Sequence, residues 1–297
     1  MILCDICYEN INIDQYENHK NICLMEQQNI LNNLLRQNKQ TQTYISPILT
    51  QTQKMALDFA KKKSKIYSKN TKLEAFHRLK LKKYSKEDFD KILHYIQNNV
   101  IIIIHVNLDK VLEYLVEDDH YRNMFEVNKS GGSLNTSLRV DWENNLFKNI
   151  YNNADPSERV KYGALNLTNS STAIKCCISY GDSFLVLKKE INERSTFVLG
   201  DSSCGQMHLA TFKYCEILLA LIPESLLDNV IDIVLGTKKT LPYDNREYIE
   251  VQIHGPLRLN HDIEVLVVNK KYENNNKIIN LLNQFKLKHC CPYIFMP

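Results

Sequence analysis

Four residues of the types that bind zinc lie within the first 23 positions. Cys4 and Cys7 are separated by two residues, and His19 and Cys23 by three. The first spacing is that of a zinc knuckle, a turn that directs two thiolates at one ion, and the second places two ligands on successive turns of one helix face. The spacing therefore predicts a closed, structural Zn²⁺ site. Because so short a segment buries little apolar surface, the metal would supply most of its stability.

A finger of this kind, residues 1–28, is compatible with three functions. Its Cys-x2-Cys-x11-His-x3-Cys pattern resembles the ubiquitin-binding zinc fingers of DNA-repair proteins. That resemblance implies ubiquitin or a ubiquitinated protein as the partner, bound through the exposed face of one helix, here Asp14 to about Gln28. Similar fingers bind nucleic acid or only support structure. Chance cysteines in a disordered tail are the remaining alternative.

The composition is that of a globular protein inside the cell. Of the 297 residues, 44% are hydrophobic and 24% are charged. The longest aliphatic run, 100–106, is interrupted by His105 and is far shorter than the roughly 20 residues that span a bilayer. Residues 1–25 lack the basic start and the apolar run of a secretory signal. The chain has nine cysteines, an odd number, which indicates reduced thiols more than disulfides. We therefore expect an intracellular protein, cytoplasmic or nuclear, that is not secreted and has no membrane partner.

Glycine and proline divide the chain into a first part with few turns and a turn-rich remainder. No glycine precedes Gly131, and only Pro47 precedes Pro156. Residues 25–52 are rich in Gln, Asn and Thr, which is typical of a flexible tether. The expected organisation follows the chain in four parts: the finger at 1–28, a polar linker at 29–53, a basic helical segment at 54–99 and a larger domain at 100–297.

The basic segment has a strong local charge. Residues 54–91 contain thirteen Lys or Arg against five Asp or Glu, a balance of +8. This balance favours an anionic partner such as nucleic acid, although a solvated helix face explains most of the lysines equally well. Because the apolar residues show no single clean period, we expect two or three helices here.

Hydrophobic patterns then predict an α+β domain. Ser85 followed by Asp88 predicts the start of a helix that ends near Asn98, and the β-branched run 100–106 predicts a strand covered on both faces. Helices that come first and strands that come later indicate an α+β fold. Further elements are expected as strands at 183–187, 195–199, 248–253 and 263–268, and as helices at 109–117, 207–221 and 276–285.

Several segments between residues 100 and 268 resemble a family known only as a domain of unknown function, found in bacteria and some eukaryotes. The family name implies no activity. The segments that carry the resemblance are Ile103-Ile-His105-Val-Asn107, Tyr121-Arg-Asn-Met-Phe125-Glu126 with Ser130-Gly131-Gly132, Glu158 to Asn166, Ser195-Thr196-Phe197 with Gly200-Asp201-Ser202, and Tyr248 to Gly255.

A more distant resemblance implies an activity. ADP-ribosyltransferases have an Arg or His on the first core strand, a Ser or Tyr element on a later strand, and a catalytic Glu that begins a strand near the end. His105, Ser195-Thr196 and Glu250 occur in that order, each in a predicted strand. The resemblance implies an ADP-ribosyltransferase-like split mixed sheet with flanking helices. One departure is Tyr248, which stands where many related toxins have Glu or Gln.

The residue roles follow from the chemistry that this resemblance implies. Cleavage of nicotinamide from NAD leaves a ribose with oxocarbenium character, which a carboxylate can stabilise, and Glu250 is the catalytic candidate. His105 would bind the adenosine-side ribose, and Tyr162 would stack on nicotinamide. Ser195 or Thr196 would support Glu250 and the nicotinamide ribose. The expected cofactor-binding set is completed by Asn107, Gly163 and Gln252.

Two hypotheses from different classes remain open. The first is an NAD-dependent mono-ADP-ribosyltransferase, a glycosyltransferase-class enzyme that modifies a macromolecular target recruited in part by the finger. The second is a non-catalytic zinc-finger binding protein for nucleic acid or ubiquitin that carries a degenerate enzyme-like domain. Taken singly, a His, Ser or Glu in a strand is more often structural than catalytic. Their order and the surrounding segments favour the first hypothesis.

The zinc prediction is tested by metal content. Protein purified without chelator should hold about one zinc per chain, because the four ligands complete a tetrahedral shell. Cys7→Ala or His19→Ala should lose the metal, whereas Cys290→Ala, outside the ligand pattern, should keep it. Metal analysis that finds wild-type protein free of zinc would contradict the prediction.

Overall fold

A computed structural model describes residues 1–3, 10–20, 22, 44–129, 132–204, 208–244 and 247–296. Of the four predicted zinc ligands, His19 lies among these residues, whereas Cys4, Cys7 and Cys23 lie outside them. Within the described ranges no three His, Cys, Asp or Glu side chains are grouped so that they could hold a metal ion. The zinc site therefore stays a prediction.

The amino-terminal residues that are described form a small antiparallel strand pair. Strand β1 (Ile2–Leu3) pairs with β2 (Asn10–Ile11). A 3-10 turn at Ile13–Gln15 follows, and residues 16–20 continue as a helix. His19 lies on this helical stretch.

The larger part of the chain combines helices with one seven-stranded sheet. The sheet is antiparallel except at one edge, where its last two strands run parallel, and helices flank it, which confirms the α+β prediction. None of the helices in the described ranges has the length and apolar character needed to cross a bilayer. The helices are α1 (Gln51–Leu81), α2 (Lys86–Asn98), α3 (Leu108–Glu117), α4 (Met124–Val127), α5 (Thr136–Phe147), α6 (Glu216–Leu221), α7 (Glu224–Val234) and α8 (Asn276–His289).

The order of the strands in space differs from their order in the chain. The spatial order is β6-β7-β4-β3-β5-β8-β9. Strands β3, β5, β6, β7 and β8 coincide with the predicted strands, whereas β4 and β9 were not predicted. The strands are β3 (Ile101–Val106), β4 (Lys161–Asn166), β5 (Ser183–Leu187), β6 (Ser195–Leu199), β7 (Ile249–Ile253), β8 (Ile263–Val268) and β9 (Tyr293–Phe295).

The basic segment forms two helices, within the predicted two or three. Helix α1 begins with a capping box in which Thr50 and Gln53 satisfy each other's backbone N–H groups. Small buried residues recur every four positions along one face, and the last of them donates a hydrogen bond to Glu216 of α6. These residues are Ala56, Ala60, Ser64 and Ser68. Most of the lysines of α1 are exposed.

Residues 29–43 of the predicted linker, 29–53, lie outside the described residues, whereas residues 44–53 and the helices before residue 99 contact the sheet domain. Tyr44 Oη donates to Asp262 Oδ1 at 3.0 Å, and Gln53 Nε2 donates to the Glu158 carbonyl at 2.9 Å. Residues from 44 onward are therefore anchored to the sheet domain. Apolar residues of α1 and α2, such as Leu79 and Phe89, belong to the same core as the sheet. The reason is that both helices bury an apolar face that needs the sheet domain as its partner.

The predicted helix at 207–221 was too long. Only Glu216–Leu221 is helical, because the chain before it pairs with the edge of the sheet. The backbone of Ala210 exchanges two hydrogen bonds with Phe197 of β6. An edge strand has backbone groups that require a partner, and this segment supplies it. Helices α4, α5 and α7 were not predicted.

These anchors predict different effects for two truncations. Deleting residues 1–53 removes the Tyr44 contact, the Thr50 cap and the Gln53 hydrogen bond, together worth about 3 kcal/mol. The melting temperature should fall by roughly 10 °C relative to a chain lacking only residues 1–43, which keeps all three. Circular dichroism melts of the two truncated proteins make the comparison. Equal melting temperatures would show that residues 44–53 do not stabilise the domain.

Candidate functional site

A cleft opens in the sheet where strands β3 and β4 separate. Their pairing covers three residue pairs and ends at Ile103 and Ala164. Beyond this point β3 continues to Val106 beside β5, and the earlier part of β4 pairs with β7. The cleft between them has a volume of about 1130 Å³ and is lined by residues of both strands and of α3, α5 and the neighbouring loops.

Two glycines allow the backbone to approach closely at this opening. A Cβ on Gly163 would lie 2.8 Å from the Ile103 carbonyl oxygen. A Cβ on Gly181, whose φ is +150°, would lie 2.0 Å from the carbonyl carbon of Val106. Both distances are shorter than a carbon atom tolerates, so these positions require glycine.

Glu250, the predicted catalytic residue, lies in this cleft. The residue is 6% exposed, and its carboxylate receives hydrogen bonds from Gln252 Nε2 at 2.9 Å and from the Ser202 N–H at 3.4 Å. Burial raises the pKa of the Glu250 carboxyl to about 7; the hydrogen bonds from Ser202 and Gln252 oppose this rise, and the nearby Asp201 carboxylate adds to it. Glu250 therefore changes its charge near neutral pH.

Gln252 and Thr196 lie behind Glu250 and do not line the cleft. They are partners across strands β6 and β7, and the Thr196 hydroxyl donates to Gln252 Oε1 at 3.0 Å. Ser195 occupies the other face of β6, where its hydroxyl donates to the Ile191 carbonyl at 2.8 Å. Thr196, rather than Ser195, is therefore connected to Glu250, through the Gln252 amide.

His105 lines the cleft, but its ring nitrogens already have partners. Nδ1 lies 2.8 Å from the Gly181 carbonyl oxygen, and Nε2 accepts from the Ile174 N–H at 3.3 Å. These bonds require a neutral ring with its proton on Nδ1, and burial lowers the pKa of His105 in agreement. The side chain anchors residues 174–181 and lines the cleft. To bind a ribose hydroxyl, the ring would have to give up its hydrogen bond to Gly181 or to Ile174.

Tyr162 is fixed against the cleft by a buried carboxylate. Its hydroxyl donates to Glu143 Oε1 at 3.2 Å, and Arg159 Nη1 donates to Glu143 Oε2 at 2.7 Å. Burial raises the pKa of Glu143 to about 7, while Arg159 and Tyr162 favour its charged form. With the hydroxyl held in this way, the orientation of the Tyr162 ring is set by α5, which carries Glu143.

Asn107 offers the cleft an unused acceptor. It holds the N-cap position of α3, yet its side chain makes no capping hydrogen bond. Its Oδ1 atom is buried and has no hydrogen-bond partner among the described residues. A buried amide oxygen without a donor is unfavourable, so this atom can gain from a ligand that brings an N–H or O–H group.

Other cleft residues were missed by the sequence analysis. Tyr248 Oη donates to Asp201 Oδ2 at 3.1 Å, and both residues lie within segments that carried the family resemblance. Arg139 and Trp142 come from α5, which the sequence did not predict, and no motif marked them. Trp142 is the single tryptophan of the chain. Its fluorescence can therefore report on the cleft.

Residues 103–245, slightly less than half of the chain, match a family described as a protein of unknown function (DUF3626). This match confirms the resemblance to a family of unknown function. Glu250 and Gln252 lie beyond the matched range. The family description gives no activity, and a search of curated proteins found no match. The predicted cofactor-binding residues inside the matched range are His105, Asn107, Tyr162, Gly163, Ser195 and Thr196.

The burial of Glu250 predicts a measurable effect on stability. Its pKa is about 7 in the folded protein against an ordinary value of 4.5, so the folded state binds this proton more tightly than the unfolded state. The protonated group contributes roughly 3 kcal/mol to the free energy of unfolding. This contribution is complete below pH 4.5 and is lost as the pH rises through 7. At pH 8, Glu250→Gln should therefore be more stable than wild type.

The comparison requires urea unfolding of both proteins at pH 5 and pH 8. Glu143 titrates over the same range but is present in both, so only the difference between the two proteins reports on Glu250. The same pH dependence in wild type and variant would show that Glu250 is not a destabilised buried carboxyl.

Proposed function

We propose that the protein is an NAD-dependent mono-ADP-ribosyltransferase. The observation that supports this proposal is that Glu250 shares one cleft with four of the seven residues expected to bind NAD. Those four are expected from the resemblance, and they lie on β3, directly after it and on β4, where the two strands separate. They are His105, Asn107, Tyr162 and Gly163.

The surroundings of Glu250 suit a reaction that develops positive charge. Departure of nicotinamide leaves a ribose with oxocarbenium character, and an ionised Glu250 beside that ring would stabilise the charge from a buried position. Gln252 holds the carboxylate by one hydrogen bond, which limits its rotation. Because the pKa of Glu250 is about 7, the active, ionised fraction increases with pH across neutrality.

The remainder of the cleft suits a dinucleotide. Its walls carry aromatic rings, including Tyr162 and Trp142, which can stack on nicotinamide or adenine. Arg139 lines the same wall and offers a cation for the pyrophosphate. The unpartnered Asn107 oxygen can accept from an amide or amino group. A volume of about 1130 Å³ exceeds the usual range for small-molecule sites and leaves room for part of an acceptor.

In this proposal the predicted zinc finger recruits a protein target, with ubiquitin or a ubiquitinated protein as one partner. The zinc ion, held by Cys4, Cys7, His19 and Cys23, would be structural and would take no part in the reaction. NAD is consumed as a substrate.

The second candidate is a non-catalytic binding protein for nucleic acid or ubiquitin, with a degenerate enzyme-like domain. The observation that favours nucleic acid is a row of exposed lysines on α1. Arg78 and Lys82, near the end of this helix, pair with acidic residues of α7. The row consists of Lys61, Lys62, Lys65 and Lys69, which form no ion pair with another described residue. Phosphate groups would pair with such a row, and the affinity would fall steeply with salt.

Nicotinamide release from NAD distinguishes the two candidates. Wild-type protein should release nicotinamide at a rate that rises with pH through about 7, and Glu250→Gln should slow turnover by a factor of about a hundred to a thousand, or roughly 3 to 4 kcal/mol. NAD affinity, followed by quenching of Trp142 fluorescence, should change much less. Circular dichroism confirms folding of both proteins.

Tyr243→Phe provides the matched control, because it removes a buried hydroxyl that has no hydrogen-bond partner among the described residues and does not line the cleft. Equal turnover in wild type and Glu250→Gln would reject the role of Glu250. Absence of turnover and of NAD binding in every protein would instead favour the binding protein.

A further inference from the structure

A chain of buried hydrogen bonds runs from the residue that follows β7 along one face of that strand to the candidate catalytic carboxylate. Tyr151 Oη lies 2.8 Å from His254 Nδ1, and His254 Nε2 lies 3.3 Å from Thr196 Oγ1. Thr196 then donates to Gln252 Oε1 at 3.0 Å, and Gln252 donates to Glu250 Oε1 at 2.9 Å. Four hydrogen bonds thus connect five side chains.

The residues behind Gln252 are shielded from solvent. Tyr151, Thr196, Gln252 and His254 are each 0% exposed. The imidazole of His254 is packed edge to face against Phe147, with ring centres 5.1 Å apart. Burial and the nearby Arg194 guanidinium lower the pKa of His254 to about 3, so the ring is neutral and carries one N–H group at physiological pH. No solvent hydrogen bond competes with the chain at these positions.

The position of that single proton sets the direction of every bond in the chain. If Tyr151 donates to Nδ1, the proton of His254 is on Nε2 and is donated to Thr196. Thr196 has one hydrogen, which it then gives to Gln252 Oε1. The Gln252 amide is therefore held with its oxygen toward Thr196 and its N–H groups toward Glu250.

The reversed direction is unfavourable when Glu250 is ionised. With the His254 proton on Nδ1, Thr196 donates to Nε2 and its oxygen must accept from the Gln252 amide. The amide then turns its oxygen toward the Glu250 carboxylate, and two acceptors face each other. Only a protonated Glu250 satisfies that arrangement.

We propose that Tyr151 and His254 are positioning residues that fix the direction of this chain and hold the Gln252 N–H groups toward the Glu250 carboxylate. Neither residue lines the cleft, so both act through Thr196 and Gln252. The inference rests on the proposed function of Glu250, because it concerns the hydrogen bond that supports the ionised carboxylate in the reaction. The arrangement of the bonds, however, can be tested without substrate.

The test measures the titration of Glu250 in the free protein. The substitutions leave every other titratable group near Glu250 in place, so that a change in its pKa reports on the hydrogen-bond chain. The titratable groups that face Glu250 are Asp201, Tyr162, Tyr180, Tyr248 and Cys177. Those that face His254 are Arg194 and Lys61. Infrared spectra of the protonated carboxyl band, assigned by its loss in Glu250→Gln, follow the titration.

Tyr151→Phe removes one hydroxyl and should raise the pKa of Glu250 by about half a unit or more, because the direction of the chain is no longer fixed. The matched control is Tyr243→Phe, since the Tyr243 hydroxyl is buried and has no hydrogen-bond partner among the described residues. This control should leave the titration of Glu250 unchanged.

Thr196→Val interrupts the chain and should raise the pKa of Glu250 further, whereas Thr196→Ser keeps a hydroxyl and should restore the wild-type value. Ser195→Ala is the control for loss of a buried hydroxyl on the same strand. Urea unfolding of each variant confirms that the protein is folded at the pH of the measurement.

Unchanged titration of Glu250 in both Tyr151→Phe and Thr196→Val would overturn the proposal, and so would an equal shift in the controls. The proposed function is judged separately by nicotinamide release. If turnover is present, Tyr151→Phe should raise the apparent pKa in the pH profile of kcat by the same amount as the pKa from the infrared titration. The KM should change little. A titration shift without turnover would support the hydrogen-bond chain and reject the enzymatic function.

Discussion

The candidate site depends on the point at which two central strands stop pairing. Strands β3 and β4 share three residue pairs and then separate, although each continues beside another strand. Gly163 stands next to the last pair, where a side chain would collide with the Ile103 carbonyl. Backbone groups that leave a ladder need other partners. The cleft is therefore built into the sheet, and strand residues form part of its wall.

Two buried carboxyl groups near this cleft are stabilised in different ways. Glu143 faces the Arg159 guanidinium at 2.7 Å, so its charge is compensated by a cation. Glu250 receives hydrogen bonds from Gln252 and Ser202, which are neutral, and forms no ion pair with another described residue. Its negative charge is thus only partly compensated within the protein. A ligand that develops positive charge beside Glu250 would supply the compensating charge that the protein lacks there. This compensation is the electrostatic basis of the proposed reaction.

The sequence predicted the elements well where local signals are strong. Strands β5, β6 and β8 have the predicted bounds, and α2 begins after Ser85 as its capping box indicated. Strand β4 was missed because Lys161-Tyr-Gly has neither an aliphatic run nor clean alternation. The helix 207–221 was overextended because an apolar segment that pairs with a sheet edge cannot be distinguished locally from the start of a helix.

By itself, the sequence indicated candidate residues and, for Glu250 and His105, the strands in which they lie. These two residues and Tyr162, whose strand was not predicted, line one cleft. Only the tertiary structure decided which neighbouring side chains act with them. Successive strand residues face opposite sides of a sheet, so the choice between Ser195 and Thr196 depends on pairing with Gln252. Because Thr196 and Gln252 are 56 residues apart in the chain, no local pattern encodes that pairing.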